Sequence, residues 1–368
     1  MSVEIAEPET RKPPRLRRPR AGVLQFLAIG YLFALVAVVA VLRLGGERWW
    51  LSTVALYLPR VGFGFPLPFV VAGLLWARSY RLLLTQLACA VIVLFPLMGL
   101  GMRGRQPATP GAWRFRVFTA NIGNGAAGSA QVVARARSAD PDLIVLEEVA
   151  DTPFEIERLR AGLAGYAFWS SGQFAVASRF PIEDAEVPPP LDRGGRRLPR
   201  NYARLRLLTP AGPIRLYAVH PISPHSAFDE LRGAEPTGDF TDELLTARVF
   251  DPRARAVLEE NTERRVSQVR ALADDARQSP EPVLIAGDTN LPGLSWALAT
   301  LLGDYHDAFA DAGRGFGYTY PTWHRRWLRI DRLLGGPRLR FLSAASDPPR
   351  LYDHLPLTAE VELLSGAR

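Results

Sequence analysis

The sequence has 368 residues, of which 48% are hydrophobic and 22% charged, with a formal net charge of +7. This length is sufficient for a membrane region and one globular domain. Cys89 is the only cysteine and lies in an apolar stretch, which excludes disulfides and thiolate zinc sites in the globular part. Lys12 is the only lysine, which excludes a lysine nucleophile or a Walker-type phosphate lysine there.

The first part of the chain consists of a basic tail, 1–20, and an apolar region, 21–101. Three stretches in this region contain no charged residue: 21–42, 61–77 and 82–101. Because about 20 helical residues cross a hydrocarbon core of roughly 30 Å, the first and third are long enough to span a membrane. The second is short and contains Pro66 and Pro68, which kink a helix or begin it. We predict about three transmembrane helices, with a re-entrant second stretch as the alternative.

Basic residues determine the predicted orientation. They precede the first stretch and flank the turn between the second and third: Arg11, Lys12, Arg15, Arg17, Arg18, Arg20, Arg78 and Arg81. If three helices span, both groups are cytoplasmic and the globular domain is extracytoplasmic, as in an integral protein of the plasma (inner) membrane. Arg103 and Arg105 oppose this orientation, and a re-entrant second stretch would make the domain cytoplasmic.

A connector, 102–112, leads to a domain predicted at 113–365. Short apolar strands alternate there with amphipathic helices, which predicts an α/β fold. The predicted helices are 129–138, 154–163, 253–278 and 294–302. The predicted strands are 115–120, 142–147, 173–178, 202–208, 213–219, 282–287, 327–334 and 356–363. A polar insertion occupies 225–251, and loops of that length are often functional or mobile.

The basic excess lies outside this domain. Residues 1–105 contain 13 of the 44 basic residues and 4 of the 37 acidic ones, which leaves 31 basic against 33 acidic residues in the remainder. The excess therefore fits membrane topology and anionic lipid headgroups better than a face that follows nucleic acid. Two local clusters remain open as phosphate contacts or solvated charge runs: Arg193, Arg196, Arg197 and Arg200, and Arg325, Arg326 and Arg329.

Isolated polar groups adjoin six apolar segments that are predicted as strands. They are Asn121, the pair Glu147 and Glu148, His220, Asp288 with Asn290, Asp331, and Asp353 with His354. A hard divalent cation and a proton-transfer pair require such carboxylates, amides and imidazoles. Each group alone is explained equally well as a turn, loop or ion-pair residue. Their combination favours a catalytic site.

The domain resembles the endonuclease/exonuclease/phosphatase superfamily over roughly 113–365. The motifs that carry the resemblance are Asn121, Leu146-Glu147-Glu148, His220-Pro221, Gly287-Asp288-Thr289-Asn290, Ile330-Asp331-Arg332 and Asp353-His354-Leu355-Pro356, in that order. The superfamily includes pancreatic-type deoxyribonucleases, exonuclease III-type endonucleases, neutral sphingomyelinases and inositol polyphosphate 5-phosphatases. The resemblance implies a four-layer α/β/β/α sandwich, here preceded by an all-α transmembrane segment, that hydrolyses phosphoesters.

The resemblance also implies a metal site. Glu148 matches the family's metal-binding glutamate, with Asn121 and Asp353 as the further contributors. Mg²⁺ suits such oxygen ligands, with Mn²⁺ as the alternative. The sequence departs from the family pattern at Glu147, where glutamine is common, and at Tyr352, where serine is usual. The first departure leaves open which of the adjacent glutamates faces the metal.

Catalytic roles follow from the same resemblance. Asp288 orients or deprotonates the attacking water, and Asn290 holds that water or a phosphate oxygen. His354 donates to the phosphate and is fixed by Asp331. His220 matches a histidine that is placed for general acid work on the leaving group in the deoxyribonuclease and sphingomyelinase branches.

The sequence leaves the substrate open, because one fold serves many phosphoesters. The implied partners are a phosphoester substrate, either nucleic acid or a phospholipid headgroup, and the lipid bilayer; no protein partner is implied. A nuclease and a phospholipid or sphingolipid phosphodiesterase are the two enzymatic hypotheses. A catalytically silent membrane scaffold is the third.

Overall fold

The computed structural model describes residues 21–232, 251–320, 326–346 and 349–364. The predicted basic tail 1–20, most of the polar insertion 225–251, Arg325 and the predicted domain end at 365 lie outside the described residues. The described helices are α1 (Ala21–Ala40), α2 (Trp50–Tyr57), α3 (Pro66–Trp76), α4 (Leu83–Ile92), α5 (Ser129–Ser138), α6 (Pro153–Gly162), α7 (His225–Arg232), α8 (Pro252–Arg277), α9 (Trp296–Leu301) and α10 (Ala308–Ala312).

The described strands all follow the connector. They are β1 (Trp113–Asn121), β2 (Leu143–Glu147), β3 (Ala167–Ser171), β4 (Phe174–Ser178), β5 (Ile182–Glu186), β6 (Leu191–Arg193), β7 (Arg196–Leu198), β8 (Tyr202–Thr209), β9 (Gly212–Val219), β10 (Val283–Asp288), β11 (His306–Asp307), β12 (Asp331–Gly335), β13 (Leu339–Ser346) and β14 (Leu357–Leu363).

Two six-stranded sheets form the domain, in the orders β13-β14-β1-β2-β4-β3 and β11-β12-β10-β9-β8-β5, and β6 pairs with β7 separately. Among the described strand pairs, β1 with β2 and β9 with β10 are parallel and the others are antiparallel. The sheets are therefore largely antiparallel, as the resemblance implies.

The alternation of side chains along the strands produces four layers. On β1, Phe115 and Val117 enter the core between the two sheets, whereas Phe118 and Ala120 pack with residues of α5 and α6. On β10, Ile285 packs on the opposite outer face with residues of α8 and α9. Because successive strand residues point to opposite faces, a strand that is buried on both sides contributes side chains to two hydrophobic cores. The predicted α/β/β/α sandwich is confirmed.

The predicted elements differ from the structure where pairing is irregular. The four predicted helices correspond to α5, α6, α8 and α9 within two residues at each end. The strand predicted at 327–334 begins only at Asp331, because Leu328 instead bridges to Tyr320. Strand β13 was not predicted, since a bulge between Phe341 and Ser343 interrupts its period of two. The short strands β3, β5, β6, β7 and β11 also escaped prediction.

The N-terminal helices are apolar along most of their length. Gly22–Arg48 and Tyr80–Leu97 are each long and apolar enough to cross a membrane, by length and composition. Trp50–Tyr57 and Arg60–Trp76 meet this criterion only together and are bent by 91° at their junction, as in a broken span or a re-entrant loop. The described residues thus contain two or three candidate spans.

The apolar N-terminal helices pack directly on the domain. One hydrophobic cluster joins residues of the N-terminal helices to residues of α7, α8 and the segment before β12: Leu35, Leu42, Val54, Leu56, Tyr57, Cys89, Val93, Leu97, Ala227, Phe228, Ala254, Leu258, Leu328 and Ile330. The predicted connector is also hydrogen-bonded to the domain: the Gln106 N–H donates to the carbonyl of Leu342 in β13 at 2.7 Å. Helix α2, which the sequence did not predict, lies at this junction.

Candidate active site

Strand directions bring the predicted site residues to one edge of the sandwich. Strands β9 and β10 run parallel. His220, which follows β9, and Asp288, which ends β10, therefore lie at the same edge of the sheet. Strand β12 runs antiparallel to β10 and begins with Asp331 opposite Asp288. Asp331 therefore lies at a strand start rather than at the predicted strand end, yet it reaches the same edge.

The first sheet contributes to that edge in the same way. Strands β1 and β2 are parallel, with Asn121 opposite Glu147 at their ends. Strand β14 is antiparallel to β1 and begins at Leu357 opposite Thr119, and His354 lies three residues before this start. Residues far apart in sequence thus meet because parallel strand ends and antiparallel strand starts coincide.

Asp288 is buried at the centre of this cluster. Its Oδ1 accepts from the Asn290 N–H at 2.8 Å, and its Oδ2 lies 3.8 Å from Nε2 of both His220 and His354. Burial and then the negative charge of Asp331 raise the pKa of Asp288 to about 7. Near neutral pH, this carboxylate is therefore poised to exchange a proton.

His354 and Asp331 form a buried ion pair. His354 Nδ1 lies 2.8 Å from Asp331 Oδ2 and 3.1 Å from Oδ1, and the ring packs on that of Tyr320 at 4.7 Å between centroids. Burial alone would lower the pKa of His354, but the charge of Asp331 and the hydrogen bond to it raise the pKa to about 10. His354 is thus an imidazolium whose Nε2–H faces Asp288.

His220 differs from His354 in its partner and its charge. Its Nδ1 lies 2.6 Å from Gln173 Oε1, and its Nε2 lies 3.2 Å from Glu148 Oε1. Burial lowers the pKa of His220, although the nearby charge of Glu148 opposes this effect. Because an amide oxygen can only accept, Nδ1 carries a proton and Nε2 faces the site. Gln173, in the turn between β3 and β4, carries no sequence signal of its own and was missed.

The two adjacent glutamates lie in opposite environments. Glu147 is fully buried and accepts from Thr119 Oγ1 at 2.8 Å, and burial raises its pKa well above the usual range. Glu148 adopts a φ of +50° and turns towards Asn121 and His220. Glu148 is therefore the carboxylate on the open side of the site.

Asn121 and Asn290 orient their neighbours. Asn121 Nδ2 donates to Glu148 Oε1 at 3.0 Å and to Asp288 Oδ2 at 3.4 Å, while its Oδ1 accepts from the Gly123 N–H. That oxygen keeps a second lone pair, so Asn121 stays a predicted metal ligand. Asn290 Nδ2 donates to the carbonyl of Pro221 at 3.0 Å, which ties the loop after β10 to the loop after β9.

The donor set fits a hard divalent cation. Asp288, Asp331 and His354 offer ligand atoms within 4.8 Å of one another, but Asp331 and His354 already compensate each other as an ion pair. Asp353, whose pKa is raised by burial, lies within electrostatic reach of Glu148. Glu148 lies within electrostatic reach of both Asp288 and Asp353, and these carboxylates form a donor set among the described residues that Mg²⁺ or Mn²⁺ would fit.

The chain belongs to the Endonuclease/Exonuclease/phosphatase family, because the model of that family matches residues 118–354, more than half of the chain. Members of this family hydrolyse phosphoester bonds, which places the chain in that hydrolase class. The comparison with curated proteins gave no match.

Solved structures are similar to the domain over most of their own length. A humanised D. rerio TDP2 with 14 mutations is 15% identical, with a TM-score of 0.49, and the similarity covers 67% of this chain and 98% of that one. A family member from Bacteroides vulgatus is 17% identical, with a TM-score of 0.49 and coverage of 68% and 99%. A 3′–5′ exonuclease from Neisseria meningitidis is 16% identical, with a TM-score of 0.45 and coverage of 66% and 98%.

Proposed function

We propose that this chain is a membrane-anchored, divalent-metal-dependent phosphoesterase that cleaves a phosphodiester or phosphomonoester by attack of water. The observation that carries the proposal is the convergence on Asp288: one oxygen of this buried carboxylate lies 3.8 Å from two imidazoles of different charge. A carboxylate beside two imidazoles brings together side chains that can accept and donate protons, which is what general acid–base hydrolysis uses.

In the proposed reaction, Asp288 accepts the proton of the attacking water through Oδ2. The Asn290 N–H holds the other oxygen, at 2.8 Å, and so fixes the direction of the carboxylate. A pKa of about 7 allows Asp288 to bind the proton and then release it at neutral pH.

The two imidazoles act on the phosphate in different ways. His354, held as an imidazolium by Asp331, donates from Nε2 to a phosphate oxygen and stabilises its charge. His220 is largely neutral in the free site, and the charge of a bound phosphate raises its pKa so that it protonates the leaving oxygen. Gln173 keeps the ring oriented for that transfer by accepting from Nδ1.

Glu148 and Asp353 would hold the cation, with Asn121 orienting Glu148 and offering its free lone pair. A cation such as Mg²⁺ or Mn²⁺ at these residues would stabilise the negative charge that develops on the scissile phosphate and the leaving oxygen. The same positive charge would favour the ionised form of Asp288.

Two substrate classes fit this site, nucleic acid and phospholipid headgroups. A nuclease is the first candidate, because the family includes nucleases and its members hydrolyse phosphoester bonds. The second candidate, a phospholipid phosphodiesterase, is favoured by a specific observation: the apolar N-terminal helices pack on the segments beside the site. We further propose that the protein resides in the inner membrane with its domain outside the cytoplasm, which a reporter fused after Gly101 would test.

The test is to assay the full-length protein in detergent with Mg²⁺ against plasmid DNA, RNA, sphingomyelin and phosphoinositides. Asp288→Asn should lower the rate on the cleaved substrate by about 10³-fold, as expected for loss of a general base. Asp304→Asn, which alters a largely exposed carboxylate, is the matched control and should leave the rate unchanged. An active Asp288→Asn variant would refute the proposed mechanism.

A further inference from the structure

The loop that carries Asp288 and Asn290 is held from outside the family domain. The Asn290 N–H donates to Asp288, and the carbonyl of the same residue accepts from the hydroxyl of Tyr57 at 2.7 Å. Tyr57 is the last residue of α2, which belongs to the membrane region. The two hydrogen bonds are on the successive peptide groups of Asn290, which share its Cα, so a side chain of the membrane region holds the backbone directly beside the hydrogen bond that orients the proposed base.

Two more side chains of the membrane region hold the same loop. Arg60 donates to the carbonyl of Gly293, and also to the carbonyls of Leu56 and Leu97 at 3.0 Å. The carboxylate of Glu47 accepts from Ser295 Oγ and from the Ala297 N–H, the latter at 3.0 Å. The loop from β10 to α9 therefore has three anchors in residues 47–60.

Tyr57 also contacts the segments that lead to the other site residues. Its carbonyl accepts from Trp327 Nε1 at 2.9 Å, in the segment before Asp331. Its ring packs edge-on against Phe228, in the helix after His220, with 5.2 Å between centroids. Tyr57 thus lies where the segments that carry His220, Asp288 and Asp331 come together.

Burial makes these contacts hard to replace. Tyr57, Arg60 and Glu47 are at most 9% exposed. The polar group of each forms a hydrogen bond with the loop. If the Tyr57 hydroxyl is lost, the buried carbonyl of Asn290 loses this hydrogen bond at a position that water cannot reach freely. The backbone of Asn290, whose N–H orients Asp288, would then gain freedom.

We infer that Tyr57 is a positioning residue for the reaction, so that the membrane region completes the active site. The inference rests on the proposed phosphoesterase function. Its physical content is that the hydroxyl of Tyr57 holds the carbonyl of Asn290, which restrains the backbone of this residue and thereby the N–H that aims the Asp288 carboxylate.

The test compares Tyr57→Phe with Tyr31→Phe in the full-length protein in detergent. Both variants keep the ring and lose a hydroxyl that donates to a backbone carbonyl at 2.7 Å, but the Tyr31 hydroxyl donates to Phe63 within the membrane region. Tyr57→Phe should lower kcat by about tenfold, the value of one buried hydrogen bond, with KM changed by less than about twofold. Tyr31→Phe should change neither constant by more than about twofold.

Hydrogen–deuterium exchange provides a readout that does not need activity. Amides of residues 289–297 should exchange faster in Tyr57→Phe than in the wild type, and at the wild-type rate in Tyr31→Phe. Equal loss of kcat in both variants, or unchanged kcat and exchange in Tyr57→Phe, would overturn the inference. An inactive wild type would instead refute the proposed function, and the exchange rates would still decide whether Tyr57 holds the loop.

Discussion

Glu147 and Glu148 are adjacent in sequence, but the fold gives them different chemistry. Glu147 ends β2 and points into the protein, where a Cβ on Gly287 would lie only 2.9 Å from its Oε1. Burial raises its pKa, which favours the neutral, hydrogen-bonding form of this carboxyl group. Glu148 leaves the strand in a left-handed conformation and faces the site. This contrast supports Glu148 as the proposed metal-binding glutamate.

Replacing each glutamate by glutamine tests this assignment. Glu148→Gln should weaken Mg²⁺-dependent activity by about 100-fold or more, because it removes a charged ligand. Glu147→Gln is the matched control; it can still accept from Thr119 and should retain activity within about threefold. The measurement is the rate as a function of Mg²⁺ concentration. A larger effect at Glu147 would reverse the assignment.

The Asp331–His354 pair should make stability depend on pH. Asp331 raises the pKa of His354 to about 10, whereas an unfolded histidine titrates near pH 6.5. The stabilisation is therefore fully present below about pH 6.5 and is lost as pH rises to about 10.

Thermal unfolding of the full chain in excess chelator measures this effect. Asp331→Asn should lower the free energy of unfolding at pH 6.5 by roughly 3 kcal/mol, the cost of breaking a buried pair. The difference from the wild type should shrink as pH rises to 10. A difference that is independent of pH would contradict the assigned protonation of His354.

At the scale of elements, Gly287 allows β10 to end beside β9 and Glu147. It has a φ of +135°, and a Cβ there would lie 2.3 Å from the carbonyl of Val219. Gly212 has a similar φ of +113° but open space around it. A side chain at Gly212 would therefore introduce backbone strain alone, whereas a side chain at Gly287 would introduce both backbone strain and a steric collision.

Alanine substitutions should show this difference. Gly212→Ala should cost about 1–2 kcal/mol through backbone strain alone, whereas Gly287→Ala should cost more than about 4 kcal/mol and abolish activity. The midpoints of thermal unfolding provide the comparison. Equal losses in the two variants would show that β10 can shift away from Val219.

The sequence could predict elements whose signal is local. Helix α8 follows from its amphipathic period, and β10 from an apolar run that ends in Gly287-Asp288. The bulge in β13 and the entry to β12 depend on pairing with distant segments, so no local pattern reports them. In the site, Gln173 is similarly set by the β3–β4 turn, whereas the charged residues were recognisable from their order along the chain.

At the scale of the whole molecule, the apolar N-terminal helices and the domain share a hydrophobic cluster. It reaches from Leu35 in α1 to Ile330, the residue before Asp331. The sequence suggested a membrane anchor joined by a connector, because each helix looks complete on its own. The packing of α2 depends on apolar faces of α7 and α8 that only the folded domain presents.

A fragment of residues 106–368 should therefore aggregate in water. It would expose Phe228, Leu258, Leu328 and Ile330, and patches of this kind promote association. We expect aggregation by light scattering and less than about a tenth of the activity of the full chain, since the loop also loses its three anchors. The full chain in detergent is the control. A monomeric and fully active fragment would contradict the shared cluster.

The most direct test of the central claim is the rate of phosphodiester hydrolysis by the full chain as Mg²⁺ is removed and returned. The arrangement of Glu148, Asp288 and Asp353 predicts that chelation abolishes the rate and that Mg²⁺ or Mn²⁺ restores it with saturation. It also predicts that the acidic limb of the pH–rate profile, set by Asp288, moves to lower pH as Mg²⁺ rises. A rate that survives chelation undiminished would contradict the account.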